Sequence, residues 1–332
     1  MKKIVTLLLV VALLAALPLF AGCKKKPDAD LEIRVSVLNG TTGFGMAQLI
    51  DRKSKGEAAL NYTFTVETDA TVVRDGLLAG TVDIGALPTN VASVLYNSKP
   101  GEYQLLALNT RGVLYLVANT AKVEAPKLLS DLDGKTVYCP AQNPTFITQA
   151  LISMRNVLSS YSPGIQVTLD STTYAQPANL QAAVAAGEVD YAVLPEPMVT
   201  IAIASAAEGV TPTVALDFTA EWNRYRGDTL VQGCVVARKA FIDKHSAEVE
   251  KFLEEYHASI DYVVANPAEA SQMIVDAGIF AKAPVAQKAI PKCNLCFVTG
   301  AEMKTAMSIF LSQMPLASIG GALPGDDFYY GA

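Results

Sequence analysis

The chain has 332 residues, enough for two domains that each bury a core of their own. Its net charge is −6 and its basic cluster, Lys24-Lys25-Lys26, is short, which argues against nucleic acid as a partner. Two histidines leave little room for His-based metal or acid–base chemistry, so neither a metal nor a cofactor is expected.

At the N-terminus, Lys2 and Lys3 precede an apolar run over 4–20 that Pro18 breaks. This is the layout of a secretory signal, with a transmembrane anchor as the rival because the run is only slightly short of a span. The stretch Leu19-Phe20-Ala21-Gly22-Cys23 resembles a bacterial lipoprotein cleavage box, with Phe20 where Leu is usual. The resemblance implies a signal peptide over 1–22, lipid on Cys23 and a solvated tether over 23–30. Each acyl methylene buried in a membrane would add about 0.8 kcal/mol of attachment.

From residue 31 the order is strand, loop, helix, repeated. Residues 33–38 alternate as a strand, Asn39-Gly40-Thr41-Thr42-Gly43 follows as a loop, and 44–51 begins a helix. Residues 62–66 and 82–87 read as strands, 72–78 and 90–96 as helices, and 103–108 and 113–119 as further strands. Strands separated by helices of about ten residues imply a parallel sheet with right-handed crossovers. After a polar stretch at 120–127 the rhythm restarts: strand 135–139, loop 140–143, helix 144–157, strand 165–169, helix 177–186 and strand 189–194.

The second half copies the first. Ala79-Gly80-Thr81-Val82-Asp83-Ile84-Gly85-Ala86-Leu87-Pro88-Thr89 matches Ala186-Gly187-Glu188-Val189-Asp190-Tyr191-Ala192-Val193-Leu194-Pro195-Glu196. Each copy reads as a helix ended by a left-handed Gly, then an apolar strand, then a Leu-Pro corner. A polar residue, Thr89 or Glu196, follows each corner. The segment 214–222 leads out of the second half, 230–236 is a strand, and Val249, Phe252, Leu253, Tyr256, Ile260 and Val263 make the apolar face of a long helix. Because these later segments need sheet surface to cover, they are expected to return to the first lobe. The expected fold is two-lobed α/β, each lobe a mainly parallel sheet flanked by helices. Lobe 1 spans 31–119 and 228–332 and lobe 2 spans 120–227, with hinge crossings near 118–122 and 224–230.

These residues resemble a known family. Asn39-Gly40-Thr41-Thr42-Gly43, the two corner runs, Glu221-Trp222 and the tail Gly320-Gly321-Ala322-Leu323-Pro324 with Phe328-Tyr329-Tyr330 look like the extracytoplasmic solute-binding proteins of ABC importers. The subgroup is the one that takes up nitrate, sulfonates, taurine and thiamine-precursor pyrimidines. The resemblance implies a periplasmic-binding-protein type II fold, a monomer that closes two lobes over a small solute, an ABC permease as partner, and membrane attachment through Cys23. It does not specify the ligand.

The expected ligand contacts are those that gather at strand carboxyl ends, where open α/β sheets bind. Asn39, Thr41, Thr42 and Gly43 offer amides and hydroxyls, and the alternative for them is a plain connecting loop. Thr89 and Asn90 follow the first corner, and helix capping alone would explain Thr89. Asn143 and Thr145 carry the same ambiguity, since Asn143 before Pro144 suits a helix start. Glu196 is expected to aim its carboxylate into the cleft, with a charge at a helix N-terminus as the alternative. No Lys or Arg occurs in the four loops, which favours a ligand with an amine, amidine or ring N–H over a simple anion. Trp222 stands near the second crossing, either stacking on the ligand or packing the hinge. Arg224 and Arg226 could supply positive charge there. His245 and His257 are taken as two surface residues of one helix, too far apart to share a metal.

Of the cysteines beyond Cys23, Cys139 and Cys234 read as buried small hydrophobes. Cys293 and Cys296 form a lone C-x-x-C, short of ligands for structural zinc, and a disulfide between them is left open. The rival classes are a cofactor-dependent enzyme of the related pyrimidine-precursor synthase type, whose active-site His and cysteine run are missing here, and a ligand-sensing receptor subunit. No H-E-x-x-H, G-x-S-x-G or P-loop occurs.

Overall fold

A computed structural model describes residues 26–158 and 164–332. The expected signal peptide over 1–22, Cys23 and the first residues of the tether lie outside them. Among the described residues no helix is long and apolar enough to cross a membrane.

The first sheet holds β1 (Glu32–Leu38), β2 (Asn61–Glu67), β3 (Ile84–Pro88), β4 (Tyr103–Arg111), β10 (Val231–Arg238) and β11 (Leu295–Val298), in the order β11-β4-β10-β3-β1-β2. The second holds β5 (Leu114–Asn119), β6 (Thr136–Tyr138), β7 (Thr168–Asp170), β8 (Tyr191–Pro195) and β9 (Pro212–Asp217), in the order β7-β6-β8-β5-β9. In each sheet the strands that carry the repeat pair in parallel: β1 with β2 and β3, and β6 with β7 and β8. Both sheets are mixed, because β5 and β10, which follow the crossings, and β11, which lies antiparallel to β4, run the other way. β5 runs antiparallel to β8 and β9, and β10 antiparallel to β3 and β4.

This topology corrects one boundary. β5 belongs to the second sheet, so the chain changes lobes between β4 and β5, near Gly112, and not after residue 119. The apolar run over 113–119 marks a buried strand equally well in either lobe, and only its partners distinguish them. Helix α8 (Phe218–Arg226) ends lobe 2, and β10 enters the first sheet.

The remaining helices, in chain order, are α1 (Thr41–Phe44), α2 (Ala47–Ser54), α3 (Ala70–Ala79), α4 (Thr89–Ser98), α5 (Asn143–Leu158), α6 (Pro177–Ala186), α7 (Met198–Ala204), α9 (Lys239–Lys244), α10 (Ser246–Ala265), α11 (Pro267–Asp276), α12 (Ala283–Ala289) and α13 (Gly300–Leu311). Gly80 ends α3 with φ 76° and Gly187 ends α6 with φ 74°, the left-handed positions that the repeat requires. His245 lies between α9 and α10, so the two histidines are not on one helix. His257 stacks on Phe297 at 4.2 Å.

The apolar core runs through the hinge. Trp222 of α8 meets Phe310 of α13 at 5.8 Å, and one buried cluster joins Leu151 and Val193 of lobe 2 to Leu108 and Met314 of lobe 1. The tail also returns to lobe 1, where Phe328 packs on Tyr96 at 4.8 Å and the Tyr330 amide donates to Leu105 O. Cys139 and Cys234 are buried in that cluster, and Cys293 and Cys296 are separate thiols.

Candidate functional site

The parallel strands that carry the repeat end at loops, and residues at two of these ends meet across the lobes through Asn90 and Asn143. On the first lobe, β1 runs into Asn39 and α1. Asn39 is exposed, Thr41 and Thr42 are half-buried, and Gly43 is buried so tightly that a Cβ would stand 2.1 Å from Leu38 O. The loop is braced from two sides: the Gly40 amide donates to Ile279 O at 3.1 Å, and Asn109 Nδ2 donates to Thr42 O at 3.3 Å. Asn109 also donates to the buried Tyr256 hydroxyl. Sequence reasoning passed over Asn109, which stands beside Thr110 and Arg111 at the polar end of β4.

At the first corner the expected cap is absent. Pro88 occupies the N-cap position of α4, and Thr89 is the first helical residue. Its fully buried hydroxyl donates to Val231 O at 2.9 Å and so ties the corner to β10. Asn90, next in line, is the acceptor of a bond across the lobe junction: Asn143 Nδ2 donates to Asn90 Oδ1 at 2.7 Å. Asn143 is thus the first residue of α5 without capping it through its side chain. The other end of its amide, Oδ1, is buried with no hydrogen-bond partner. Leaving a buried acceptor unmet costs about 1–3 kcal/mol, which is the kind of debt a bound donor settles. Thr145 turns away, its hydroxyl donating to Pro140 O.

At the second corner Glu196 is 2% exposed. Its carboxylate accepts from the Thr200 amide at 3.2 Å and the Thr200 hydroxyl at 3.0 Å, across the first turn of α7, where the helix dipole favours negative charge. A cation does approach. Lys292, from the turn Ile290–Lys292 that follows α12 in lobe 1, places its ammonium 3.8 Å from Glu196 Oε1. Burial raises the Glu196 carboxyl above its ordinary value, and the Thr200 bonds and Lys292 only partly offset this. The absence of Lys and Arg from the four loops was therefore no guide to the charge around Glu196, because its cation comes from a distant segment of the other lobe.

The same segment binds lobe 2 elsewhere. Tyr115 donates its hydroxyl to Lys292 O at 2.9 Å, and Asn294 Nδ2 donates to Gly112 O at 2.5 Å. Asn294 itself has φ 45°, a left-handed conformation that Asn tolerates better than most residues. Residues 292–294 thus brace the first crossing and touch the strand that leaves it.

Trp222 is fully buried, and its indole N–H donates to Thr229 Oγ1 at 3.0 Å. Its packing against Phe310 leaves no ring face at the strand ends for a ligand. Arg224 pairs with Glu221 at 3.4 Å, and Arg226 ends α8 at the surface. Among the described residues no cluster of three or more His, Cys, Asp or Glu could hold a metal ion.

No family model matches the chain, and no curated protein does. Solved structures do. An ABC transporter protein from Parabacteroides distasonis is 23% identical with a TM-score of 0.73, over 91% of this chain and 99% of that one. The periplasmic aliphatic sulphonate binding protein from Escherichia coli is 13% identical with a TM-score of 0.66, over 90% and 92%. The ligand-binding component of an ABC-type import system from Staphylococcus aureus, with zinc bound, is 12% identical with a TM-score of 0.65, over 90% and 96%. The chain therefore has the two-lobed fold of these binding components.

Proposed function

We propose that this protein is the solute-binding component of an ABC importer. It captures a small polar solute between its lobes and delivers it to a permease, working outside the cytoplasm as a monomer held to a bacterial membrane through lipid on Cys23. The observation that carries this reading is the Asn90–Asn143 pair, a hydrogen bond between the starts of two helices in different lobes, with a buried acceptor left over at the junction. The likeness to importer binding components over nearly the whole length supports it.

The proposed solute carries an amine or ring N–H, in the manner of a thiamine-precursor pyrimidine or a taurine-like zwitterion. Asn143 Oδ1 calls for a donor. Glu196 offers a second acceptor, because Lys292 at 3.8 Å lies beyond hydrogen-bond range and attracts only by charge, so a ligand ammonium could take its place. Asn39, Thr41, Thr42, Gly43 and Asn90 complete the proposed contacts. Thr89 and Thr145 hold the backbone that presents them, and Trp222 serves the hinge. Lobe 1 is proposed to end near Gly112 and resume with β10.

The test is mass spectrometry of small molecules released when the purified protein is denatured, followed by thermal-shift titration of amines, pyrimidines and sulfonates. A nitrogen-containing solute whose binding weakens in Glu196→Gln supports the reading. Tight binding of an alkyl sulfonate without nitrogen, indifferent to Glu196→Gln, refutes the ligand class. Nothing released and no shift across the panel refutes solute capture.

A further inference from the structure

Apart from the strand-end loops, a cavity of about 570 Å³ opens beside the hinge. Its walls come from three places: α5 of lobe 2, the end of the crossing helix α8, and residues 313–315 that follow α13 in lobe 1. None of its lining residues belongs to the loops at 39–43, 88–90, 140–145 or 194–197. The volume lies in the range of small-molecule sites, roughly 300–1,000 Å³.

The lining combines apolar walls with the polar side chains of Gln149, Ser153 and Gln313, and it is charged at one point. Phe146, Ala150, Met154, Met314 and Pro315 supply the walls, and methionine adapts well to flexible aliphatic ligands. Arg226 is the one charged residue of the lining, and it has no acidic partner among the described residues. The rim adds a second signal. Val157, which also lines the cavity, is 83% exposed, and Leu316, next to Pro315, is 58% exposed. These are the most exposed large apolar side chains among the described residues, one in the lining from lobe 2 and one following the lining segment of lobe 1 in sequence.

We infer that this cavity is a second binding site, for a linear aliphatic anion whose chain lies against α5 and Met314 and whose head group meets Arg226. Arg suits such a head because its planar fork matches a carboxylate or sulfonate with two hydrogen bonds. An occupant would touch both lobes, so any change it made in solute affinity would be matched, by linkage, in its own.

The test is calorimetric titration of the folded protein with dodecanoate and with octyl glucoside, a neutral amphiphile. Saturable one-to-one dodecanoate binding is expected, weakened about tenfold by Arg226→Gln, while octyl glucoside binding is unchanged. Gln149→Trp, at an exposed position of the wall, is expected to block both ligands with little change in melting temperature. Non-saturable dodecanoate uptake, or saturable binding that neither substitution alters, would overturn the proposal. Equal weakening of both ligands by Arg226→Gln would remove the anion specificity and overturn the ligand class.

Discussion

Asn143 Nδ2 lies 2.7 Å from Asn90 Oδ1, so the first turn of α5 in one lobe is held directly against the first turn of α4 in the other. Each residue follows a strand end, and the bond between them measures how closely the lobes meet at that flank. A solute that donates to Asn143 Oδ1 would complete an amide that is otherwise half satisfied.

Asn143→Ala should weaken binding of the solute recovered from the protein by roughly 5- to 150-fold, the equivalent of about 1–3 kcal/mol. Calorimetric titration of wild type and variant provides the check. An unchanged Kd would remove Asn143 from the site.

Glu196 makes stability depend on pH in a defined direction. Its folded pKa is raised above the ordinary 4.5, so its stabilising contribution is fully present below that value and is lost as pH rises through the raised one. Glu196→Gln stays neutral throughout. The melting temperature of wild type relative to Glu196→Gln should therefore fall as pH rises from below 4.5 through the raised value, by differential scanning calorimetry. A constant difference would contradict the burial argument.

Trp222 separates packing from ligand contact. Trp222→Ala should destabilise by about 3–5 kcal/mol, as loss of a buried aromatic does. Trp222→Phe should keep the Phe310 contact, lose the bond to Thr229, and bind solute as wild type. A large affinity loss in Trp222→Phe at unchanged stability would place the ring in the site after all.

Gly112 sits at the first crossing, where an added Cβ would stand 2.3 Å from Thr219 Oγ1 and 2.5 Å from Leu230 Cδ2. Gly112→Ala should cost about 1–3 kcal/mol from overpacking, and it should change the angle between the lobes as the crossing gives way. Urea denaturation measures the first effect and small-angle scattering the second. Wild-type stability with an unchanged scattering profile would show that the crossing has slack.

The two aspartates of the repeat should respond unequally. Burial alone would raise the Asp83 carboxyl, but hydrogen bonds from Arg34, at 2.7 Å, and Arg238 overcome this and hold it below its ordinary value. Asp83→Asn should cost about 1–3 kcal/mol, because Asp83 is buried while both arginines keep part of their surface in water. Asp190 is exposed, and Asp190→Asn should stay within about 0.5 kcal/mol of wild type. Urea midpoints for both variants test the contrast.

The repeated Gly-x-x-Asp corner was legible because it depends on neighbours in the chain. A left-handed glycine must follow a helix, an apolar run must cross a sheet, and a proline must stop it, so strands, helices and the two-lobed order could all be read locally. What each polar side chain touches was not legible, because its partner lies far along the chain. Thr89 reads as a cap yet bonds Val231, Asp83 and Asp190 look alike yet only one is buried in an ion pair, and β5 reads as the end of one lobe yet completes the sheet of the other. Glu196 stands where the repeat put it, but Lys292 reaches it only because the lobes close on each other. Local chemistry settles the backbone path. Packing across the lobes determines which charges and amides remain open to a solute.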